Sequence, residues 1–565
     1  MGFNLFNSIR VKVPKRNVFD LSHDVKFSMN MGDLVPILCE PVVPGDVWKL
    51  SAEMLMRFAP LVSPVMHRMN VYTHFFFVPN RLVWNGWQDF ITGGEYRRTQ
   101  KLPNAAPAYP TIYFGGKDNN AQIQRVRQLM KGAFCPGSLA DYLGFPVGPA
   151  DVVSGSSDLS VYDMYAVGSD LHDVEIDALP FRAYQLIWDE YYRDENLQDP
   201  VDIMAGRSGR LSLSSVGVDK LLSLHRRAWE KDYFTAALPW PQAGEDVSLP
   251  LHGDAPVSVS GDTVYASTGY PNPSQSVPET TNVMTGAAGT ASSKQPLIVG
   301  NVPVTLQSEG KADLSSVSAA TINELRRAVR AQEFLEKSAR GGQRYIEQLF
   351  SFFGVRSSDA RLQRPEYLGG GKSPVIVSDV QQTSQTTEGE DASPQGNLSG
   401  QAVSVQSSHS FKRKFEEHGY IIGIMSVLPR TAYMQGMPRK FQKFDRFDYY
   451  WPQFANLGEQ EILNSELYMN GSDNKNNDTF GYTPRYAEYK YLPSRVCGDF
   501  RDTLAYWHMA RIFKDRPNLN GDFVTCQPDD RIFAYTGKDF QKLWVNLHHN
   551  ISAVRPMPVY GTPVL

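Results

Sequence analysis

Apolar and polar residues alternate along two long stretches near the start of the chain, residues 47–58 and 69–79. In the first stretch the even positions from Trp48 to Phe58 are apolar, and most odd positions are polar or charged. A period of two with one apolar face is typical of a β-strand that buries one side. The second stretch is also rich in β-branched and aromatic residues, as strands are. Together they predict two long strands in the wall of a β-sandwich or β-barrel.

Two further stretches predict strands, and a third predicts a loop. Asp33–Glu40 is typical of a strand, in which Pro36 indicates an edge position or a bulge. Glu417–Leu428 is apolar on both faces, which predicts a strand that is buried on both sides. Residues 373–410 contain no Lys or Arg, and we expect a polar loop there.

Helices are predicted between these strands. A capping box at Thr321–Glu324 starts the strongest of them, and the glycines at 341 and 342 end it. Ser138 is a candidate N-cap, and Gly354 a candidate terminator. Apolar spacing predicts further helices at Ile123–Lys131, Leu139–Leu143, Phe181–Asn196 and Tyr345–Phe353. A β-barrel with greatly enlarged loops accounts for this order better than four separate domains.

Composition changes sharply between residues 245 and 318. This segment has seven acidic residues, and its only cations are Lys294 and Lys311. We interpret it as an inserted, solvent-exposed lobe that faces outward, although disorder is the alternative. The chain therefore divides into four parts. They are a basic arm (residues 1–30), the first part of the β fold with helical insertions (31–244), the lobe (245–318) and the second part of the fold (319–565).

Charge, cysteines and hydropathy narrow the function classes. The net charge is -4, whereas a protein that coats nucleic acid alone is usually basic, so any such contact must be local or shared with a basic partner. The four cysteines lack metal-site spacing and are typical of free thiols in a reducing cytoplasm. We find no signal peptide and no apolar run long enough to span a membrane, and we expect a soluble protein made in the cytoplasm.

Catalytic motifs are absent from the sequence. The glycines at 369–371 before Lys372 resemble a phosphate loop, but Glu366 stands where that loop needs glycine, so we expect a flexible turn. No zinc-protease helix and no nucleophile elbow are present. We expect no enzyme activity, metal or cofactor. A carbohydrate-active β enzyme with paired carboxylates stays open as an alternative.

Two basic segments are candidates for contact with nucleic acid. Flexible basic arms can follow a phosphate backbone, and aromatic rings beside cations can stack on single-stranded bases. The alternative for the second segment is that its aromatics are core or interface residues and its cations a solvated face. The candidates are Arg10, Lys12, Lys15 and Arg16 in the arm, and Arg439, Lys440, Phe441, Lys443, Phe444 and Arg446 in the aromatic segment. Shorter basic patches lie at residues 226–227 and 412–414.

Nine short motifs occur in order along the chain, outside the acidic lobe. They are THFFFVPNRLVW, LPFRAYQLIWDEYYRDENLQD, DYFTAALPWPQ, ARGGQRYIE, RLQRPEYLGGG, SPQGNL, EHGYIIGIMSVLPRTAY, LPSRVCGDFR and RPMPVYG. By these motifs the chain resembles the major capsid proteins of the microviruses (Microviridae), and the gokushovirus-like branch (Gokushovirinae) is the more similar one. The resemblance implies a mainly β fold, an eight-stranded antiparallel jelly roll with long loop insertions that contain short α-helices.

The resemblance also implies a function and partners. The function is that of a structural virion protein, which assembles through five-, three- and two-fold contacts into a T=1 icosahedral shell around a circular single-stranded DNA phage genome. The implied partners are further copies of the chain, the genome, a small basic DNA-binding virion protein, a pilot-type minor virion protein and a bacterial surface receptor. The lobe corresponds to a three-fold protrusion, with Glu245, Asp254, Asp262, Tyr265, Tyr270 and Glu279 as candidates for host attachment. A receptor-binding tail-type phage protein is the second alternative.

Overall fold

The fold was analysed in a computed structural model of the chain. It describes residues 15–92, 107–113, 132–147, 175–212, 217–245, 247, 257–259, 265–267, 298–299, 302–303, 305–307, 310–312, 322–342, 344–383, 396–471, 474–538 and 540–560. Contacts divide the chain into two units, one of residues 1–241 and 338–565, the other of residues 242–337. The helix predicted at Ile123–Lys131 lies outside the described residues.

Ten strands of the first unit form two antiparallel sheets. Their bounds are β1 Asn17–Asp20, β2 His23–Met29, β3 Val35–Val42, β4 Val47–Phe58, β5 Met69–Pro79, β6 Glu366–Pro374, β7 Ile376–Gln381, β8 Leu398–Lys414, β9 Gly419–Pro429 and β10 Leu543–Arg555. The six-stranded sheet has the order β1, β10, β4, β8, β7, and β2 also pairs with β10. The four-stranded sheet has the order β6, β5, β9, β3.

This strand order is that of a jelly roll. Without the short strands β1 and β7, one sheet contains β2, β10, β4 and β8, and the other contains β3, β9, β5 and β6. Successive strands therefore cross repeatedly from one sheet to the other, as in the two Greek keys of an eight-stranded jelly roll. The predicted fold class is confirmed.

The core lies between the two sheets, on the faces that the alternating pattern predicts. The even residues of β4 from Trp48 to Phe58 are buried, and the intervening ones are mostly exposed. They pack against inward aromatics of β5, among them Phe75 and Phe77, which are fully or almost fully buried. The period-two prediction is confirmed for β4, where burying alternate residues removes the apolar face from water. β5 is a strand as predicted, but both of its faces are buried, since Tyr72, Phe76 and Val78 are buried as well.

Strand β9 is buried on both sides, as its sequence predicts. Ile421 and Met425 point into the core between the sheets. Ile422 and Ile424 pack on the opposite side, in a second apolar cluster that includes Phe181 of a helix. This second cluster covers the outer face of the four-stranded sheet with helical insertions.

The helices of the described residues are mostly short. The longer ones are α1 Leu179–Ile187, α2 Ile322–Gly341 and α3 Tyr345–Phe353. Single-turn or two-turn helices occur at Asn80–Val83, Trp87–Thr92, Leu139–Tyr142, Val218–Leu221, Asn464–Leu467, Ala487–Lys490 and Gly521–Val524. The Ser138 side chain accepts a hydrogen bond from the Asp141 amide, and Gly354 ends α3 with a positive φ, so both predicted caps are confirmed. Beyond α1, a π-helical turn at 188–192 ends the predicted helix short of Asn196.

Short strands complete both units. In the first unit they lie at Thr111–Tyr113, Glu175–Asp177, Arg210–Ser212, Ala432–Tyr433, Glu459–Leu463, Thr479–Pro484 and Ser494–Arg495. In the second unit, three nested antiparallel pairs join Val257–Val259 to Gly310–Ala312, Tyr265–Ser267 to Thr305–Gln307, and Ile298–Val299 to Val302–Pro303.

The polar loop expected at residues 373–410 is wrong for much of its length, since β7 and most of β8 lie there. Ala402, Ser404 and Gln406 of β8 are buried, whereas Gln401 and Val405 are exposed. The strand thus alternates over residues 401–406, but its inward side chains there are small or polar. The absence of Lys and Arg shows that this segment carries no positive charge, but it does not indicate whether the backbone forms a loop or a strand.

Two more expectations are wrong. The glycines at 369–371 are not a flexible turn but part of β6, which lies against β5. A Cβ atom at Gly370 would lie 2.2 Å from the Thr73 carbonyl oxygen, so the strand can pass there only as glycine. Residues 17–29 of the expected irregular arm form β1 and β2, because they extend the six-stranded sheet along β10.

Buried histidines make the stability of the fold depend on pH. Burial lowers the pKa of His67, His74, His225 and His549 to about 4, below the value of about 6.5 in an unfolded chain. Between these values the unfolded state binds more protons, so stability falls as the pH drops from 6.5 to 4. Burial raises the pKa of Asp33 to about 6, which has the opposite effect. Burial also raises the pKa of Glu466 and Asp530, which adds to the effect of Asp33. The four histidines outnumber these three carboxyls, and we expect a net loss of stability as the pH drops.

Urea unfolding of the unassembled chain between pH 7 and 5 measures this effect. Near pH 5 its pH slope should correspond to a net uptake of about one to three protons on unfolding. His549→Gln should lower that number by about one, whereas Asn550→Gln, exposed on the same strand, should leave it unchanged. A stability that is constant over this range would contradict the prediction.

Candidate nucleic-acid interface

The aromatic segment, residues 439–454, follows the four-stranded sheet and folds into three 3₁₀ turns, Arg439–Phe441, Arg446–Asp448 and Pro452–Phe454. Asp448 holds the middle turn, since its Oδ2 accepts hydrogen bonds from the amides of Phe444 and Asp445 at 2.9 and 2.8 Å. The bond from Asp445 contributes most to lowering the pKa of Asp448. The segment is therefore a folded loop whose shape depends on a carboxylate.

The large aromatic side chains of this segment are exposed to solvent. Phe444 is 88% exposed. Phe441, Phe447, Tyr449, Tyr450 and Trp451 are between 45% and 60% exposed. The alternative that these aromatics belong to the chain's own core is therefore wrong. An exposed group of this size indicates a surface that contacts a partner, either another protein surface or stacked bases.

Two of the candidate cations are bound within the chain. Arg439 Nη1 lies 3.2 Å from Glu466 Oε1 and 2.5 Å from the Glu461 carbonyl oxygen. Lys443 Nζ lies 3.3 Å from Glu488 Oε1 and 3.7 Å from the centroid of the Tyr489 ring. The charges of Arg439 and Lys443 are thus largely neutralised by carboxylates of the same chain.

The other two cations are available to a ligand. Lys440 Nζ lies 5.0 Å from the Phe441 ring centroid, and Arg446 Cζ lies 4.6 Å from that of Phe447. Within the described part of the chain, neither has a carboxylate oxygen within 4 Å. The segment therefore presents two cations beside two exposed rings, an arrangement that suits a phosphate with a neighbouring base.

The remaining candidates are dispersed. Lys15 and Arg16 are exposed at the start of the described chain, and Arg10 and Lys12 lie outside the described residues. Of the candidates for host attachment, Glu245 is exposed and Tyr265 belongs to a short strand. The others, which lie outside the described residues, are Asp254, Asp262, Tyr270 and Glu279.

Sequence reasoning missed residues that complete the aromatic segment. Glu466, Glu488 and Tyr489 hold its cations from distant positions, and nothing in their local sequence marks this role. The basic pair at 226–227 has a structural role instead. Arg226 lies 3.3 Å from Asp33, and the Arg227 guanidinium stacks over the Tyr72 ring at 4.1 Å.

Metal ligands, thiols and apolar helices are the remaining features of the described residues that bear on function. No group of three or more His, Cys, Asp and Glu side chains there could hold a metal ion. The four cysteines are free thiols, and burial raises the pKa of Cys39 and Cys526. None of the helices in the described ranges is both long and apolar enough to cross a membrane.

Comparison with known proteins matches almost the whole chain. The profile of a family described as "Capsid protein (F protein)" matches residues 8–133 and 146–565. A protein of Chlamydia phage 1 named "Capsid protein VP1" is 37% identical over 628 aligned residues, which cover 100% of this chain and 98% of that protein. Proteins with the same name from Bdellovibrio phage phiMH2K and Spiroplasma virus 4 are 35% and 30% identical, each covering 97% of this chain and 95% of the relative.

Proposed function

The chain belongs to the capsid protein (F protein) family of the microvirus-type phages, and from that membership we propose that its copies assemble into a T=1 icosahedral shell around a circular single-stranded DNA genome. Such a shell needs heterologous contacts at its five- and three-fold axes and isologous contacts at its two-fold axes. As a structural component of the virion, the protein has no catalytic step to perform. Its synthesis takes place in the cytoplasm of the host bacterium.

The observation that carries this proposal is the exposed aromatic segment on a β framework whose own core is already filled. The two sheets bury their inward residues against each other, and Phe444 and its neighbours are not part of this core. These exposed rings can therefore contact other molecules. Obligate assemblies bury large, aromatic-rich surfaces, commonly more than about 2,000 Å². The long loops between the jelly-roll strands supply surface of this kind.

The genome is held mainly by charge. Lys440 and Arg446 beside exposed rings, and the arm with Arg10, Lys12, Lys15 and Arg16, are the candidate contacts. A net charge of -4 leaves most of the phosphate charge to other partners. A small basic DNA-binding virion protein fits this requirement, and a pilot-type minor protein is a further component of the particle.

The acidic lobe at residues 245–318 is the outermost part of the particle and forms protrusions at the three-fold axes. Its polar, acidic and inserted character supports this position, because a polyanionic genome would repel it. A bacterial surface receptor is its partner.

Expression of the full chain with its phage partners tests the shell directly. We expect gradient sedimentation to yield fast-sedimenting material, and negative-stain imaging to show uniform hollow or DNA-filled particles. Phe444→Asp should reduce particle yield because it places a charge on the exposed aromatic surface, whereas Asp522→Glu, at a charged surface position, should not. Material that remains as lone 63.4 kDa subunits under virion-like conditions would contradict the proposal.

A further inference from the structure

One end of the six-stranded sheet collects cations that come from three separate parts of the sequence. Lys49 of β4 and Lys412 of β8 are direct cross-strand partners, and Lys414 pairs with Val47. All three lysines are exposed, and Lys49 lies on the face of the sheet opposite the core. Directly paired residues have Cβ atoms about 5 Å apart on one face, so the two lysine side chains leave the sheet next to each other.

The basic arm starts at the same end. Asn17, the first residue of β1, pairs with Arg555 of β10, and Val554 pairs with Val47. A Cβ atom placed on Gly45, in the turn before β4, would lie 3.9 Å from Arg16 Nη2. We call Lys15, Arg16, Lys49, Lys412 and Lys414 the basic end.

No carboxylate of the described chain neutralises Lys49, Lys412 or Lys414, the three sheet lysines of the basic end, since none has an oxygen within 4 Å of their ammonium groups. Several of the nearby acids have other partners. Asp46 is buried against Arg555, and Glu366 binds Arg413. Asp20 accepts hydrogen bonds from Ser22, and Glu53 lies about 13 Å along β4 from Lys49 at the usual strand rise.

The pairing of Lys49 with Lys412 costs stability in the free chain. Like charges directly opposite each other in a sheet are destabilising, and no acid of the described residues offsets them. Lysine is also depleted at protein–protein interfaces. A polyanion that follows the sheet end accounts for both facts, because phosphates neutralise flexible lysines without fixed geometry.

We propose that the basic end is a binding site for the phosphates of single-stranded DNA. This inference rests on the proposed function, and it places a genome contact at the root of the arm, where sheet and arm cations act together. Arg10 and Lys12, which precede the described chain in sequence, extend the same basic stretch.

Salt-dependent binding of labelled oligothymidine to unassembled full-length subunits tests the proposal. Each phosphate contact on a single strand contributes about 0.7 to the slope of log K against log salt. The triple variant K49Q/K412Q/K414Q should therefore lose about 2 from that slope, and about a hundredfold in affinity at 0.1 M salt. The matched control K220Q/K514Q/K538Q removes three exposed lysines elsewhere and should leave the slope unchanged.

Two further variants separate binding from folding. K49R/K412R/K414R keeps the charge and should keep the slope. K412Q alone relieves the paired lysines, so its melting temperature should not fall, while its slope should drop by about 0.7. A merely structural role for Lys412 would lower the melting temperature and leave the slope as it was.

Shell formation distinguishes this inference from the proposed function. If the triple variant forms normal particles but binds DNA with the wild-type slope, the basic end is not a DNA site and the shell proposal stands. If the triple variant forms no particles although its subunits are folded and bind DNA normally, the lysines contact another copy, and the DNA assignment is overturned. If wild-type chains form no particles, the proposed function fails first.

Discussion

Replacing Phe75 with Ala is expected to lower the free energy of unfolding by about 3–5 kcal/mol. Phe75 is fully buried between the two sheets, and its ring centroid lies 5.6 Å from that of Phe411 on β8. A Cβ atom on Gly423 would lie 2.8 Å from Phe75 Cε1, so the ring also packs directly on the backbone of β9. Strands from both sheets surround the ring, and they cannot collapse into the cavity without breaking their ladders.

Urea unfolding of subunits, with soluble yield as a second readout, measures the loss. The control is Phe444→Ala, which removes the same group from an 88% exposed position and should change stability by less than about 0.5 kcal/mol. Equal losses for the two variants would mean that the core does not lie where the alternating pattern and the structure place it.

The strands that could be predicted from the sequence are those whose apolar residues repeat at the strand period. β4 alternates apolar and polar residues, and β5 and β9 carry large apolar side chains on both faces, so hydropathy alone identifies all three. β8 buries Phe411 near its end, but in its first half it buries Ala402, Ser404 and Gln406 and exposes Val405, so the buried positions there are not the more apolar ones. Hydropathy carries no signal there, and only pairing with β4 and β7 makes the segment a strand.

The glycines of β6 show a second limit of prediction from the sequence. A run of three glycines is typical of a flexible turn because glycine loses the most entropy on folding. In the structure it is close contact that requires glycine, since the backbone of Thr73 leaves no room for a Cβ atom at Gly370. Space of this kind depends on which strand lies alongside, and the local sequence does not contain that information.

The candidate site, too, can be predicted from the sequence only in part. The sequence identifies the aromatic segment as a surface of interest, and the exposed rings agree with it. It does not distinguish Lys440 and Arg446 from Arg439 and Lys443, because Glu466 and Glu488 lie far along the chain. Likewise, Lys49 and Lys412 become one cluster only through the pairing of β4 with β8. Charge at a position is visible in sequence, but its neutralisation is a property of the fold.

Because Arg439 is neutralised by Glu466 within the chain, we expect Arg439→Ala to act on stability. The expected loss is about 3 kcal/mol in the free energy of unfolding at neutral pH. Glu466 is 5% exposed, and its carboxylate also accepts hydrogen bonds from the Tyr233 hydroxyl at 2.9 Å and the Leu463 amide at 3.0 Å. Burial already raises the pKa of Glu466. Without Arg439, that buried carboxylate loses its cation while its desolvation remains.

The pH dependence of the Arg439→Ala loss identifies its cause. Removing the cation raises the folded-state pKa of Glu466 further, and a carboxyl with a raised pKa loses stability as the pH rises through that value. The loss should therefore be larger at pH 8 than at pH 5, and Glu466→Gln added to Arg439→Ala should restore much of it. Lys440→Ala, an exposed neighbour, should change stability by less than about 0.5 kcal/mol. An Arg439→Ala loss no larger than this, or one independent of pH, would show that the ion pair does not hold the segment in place.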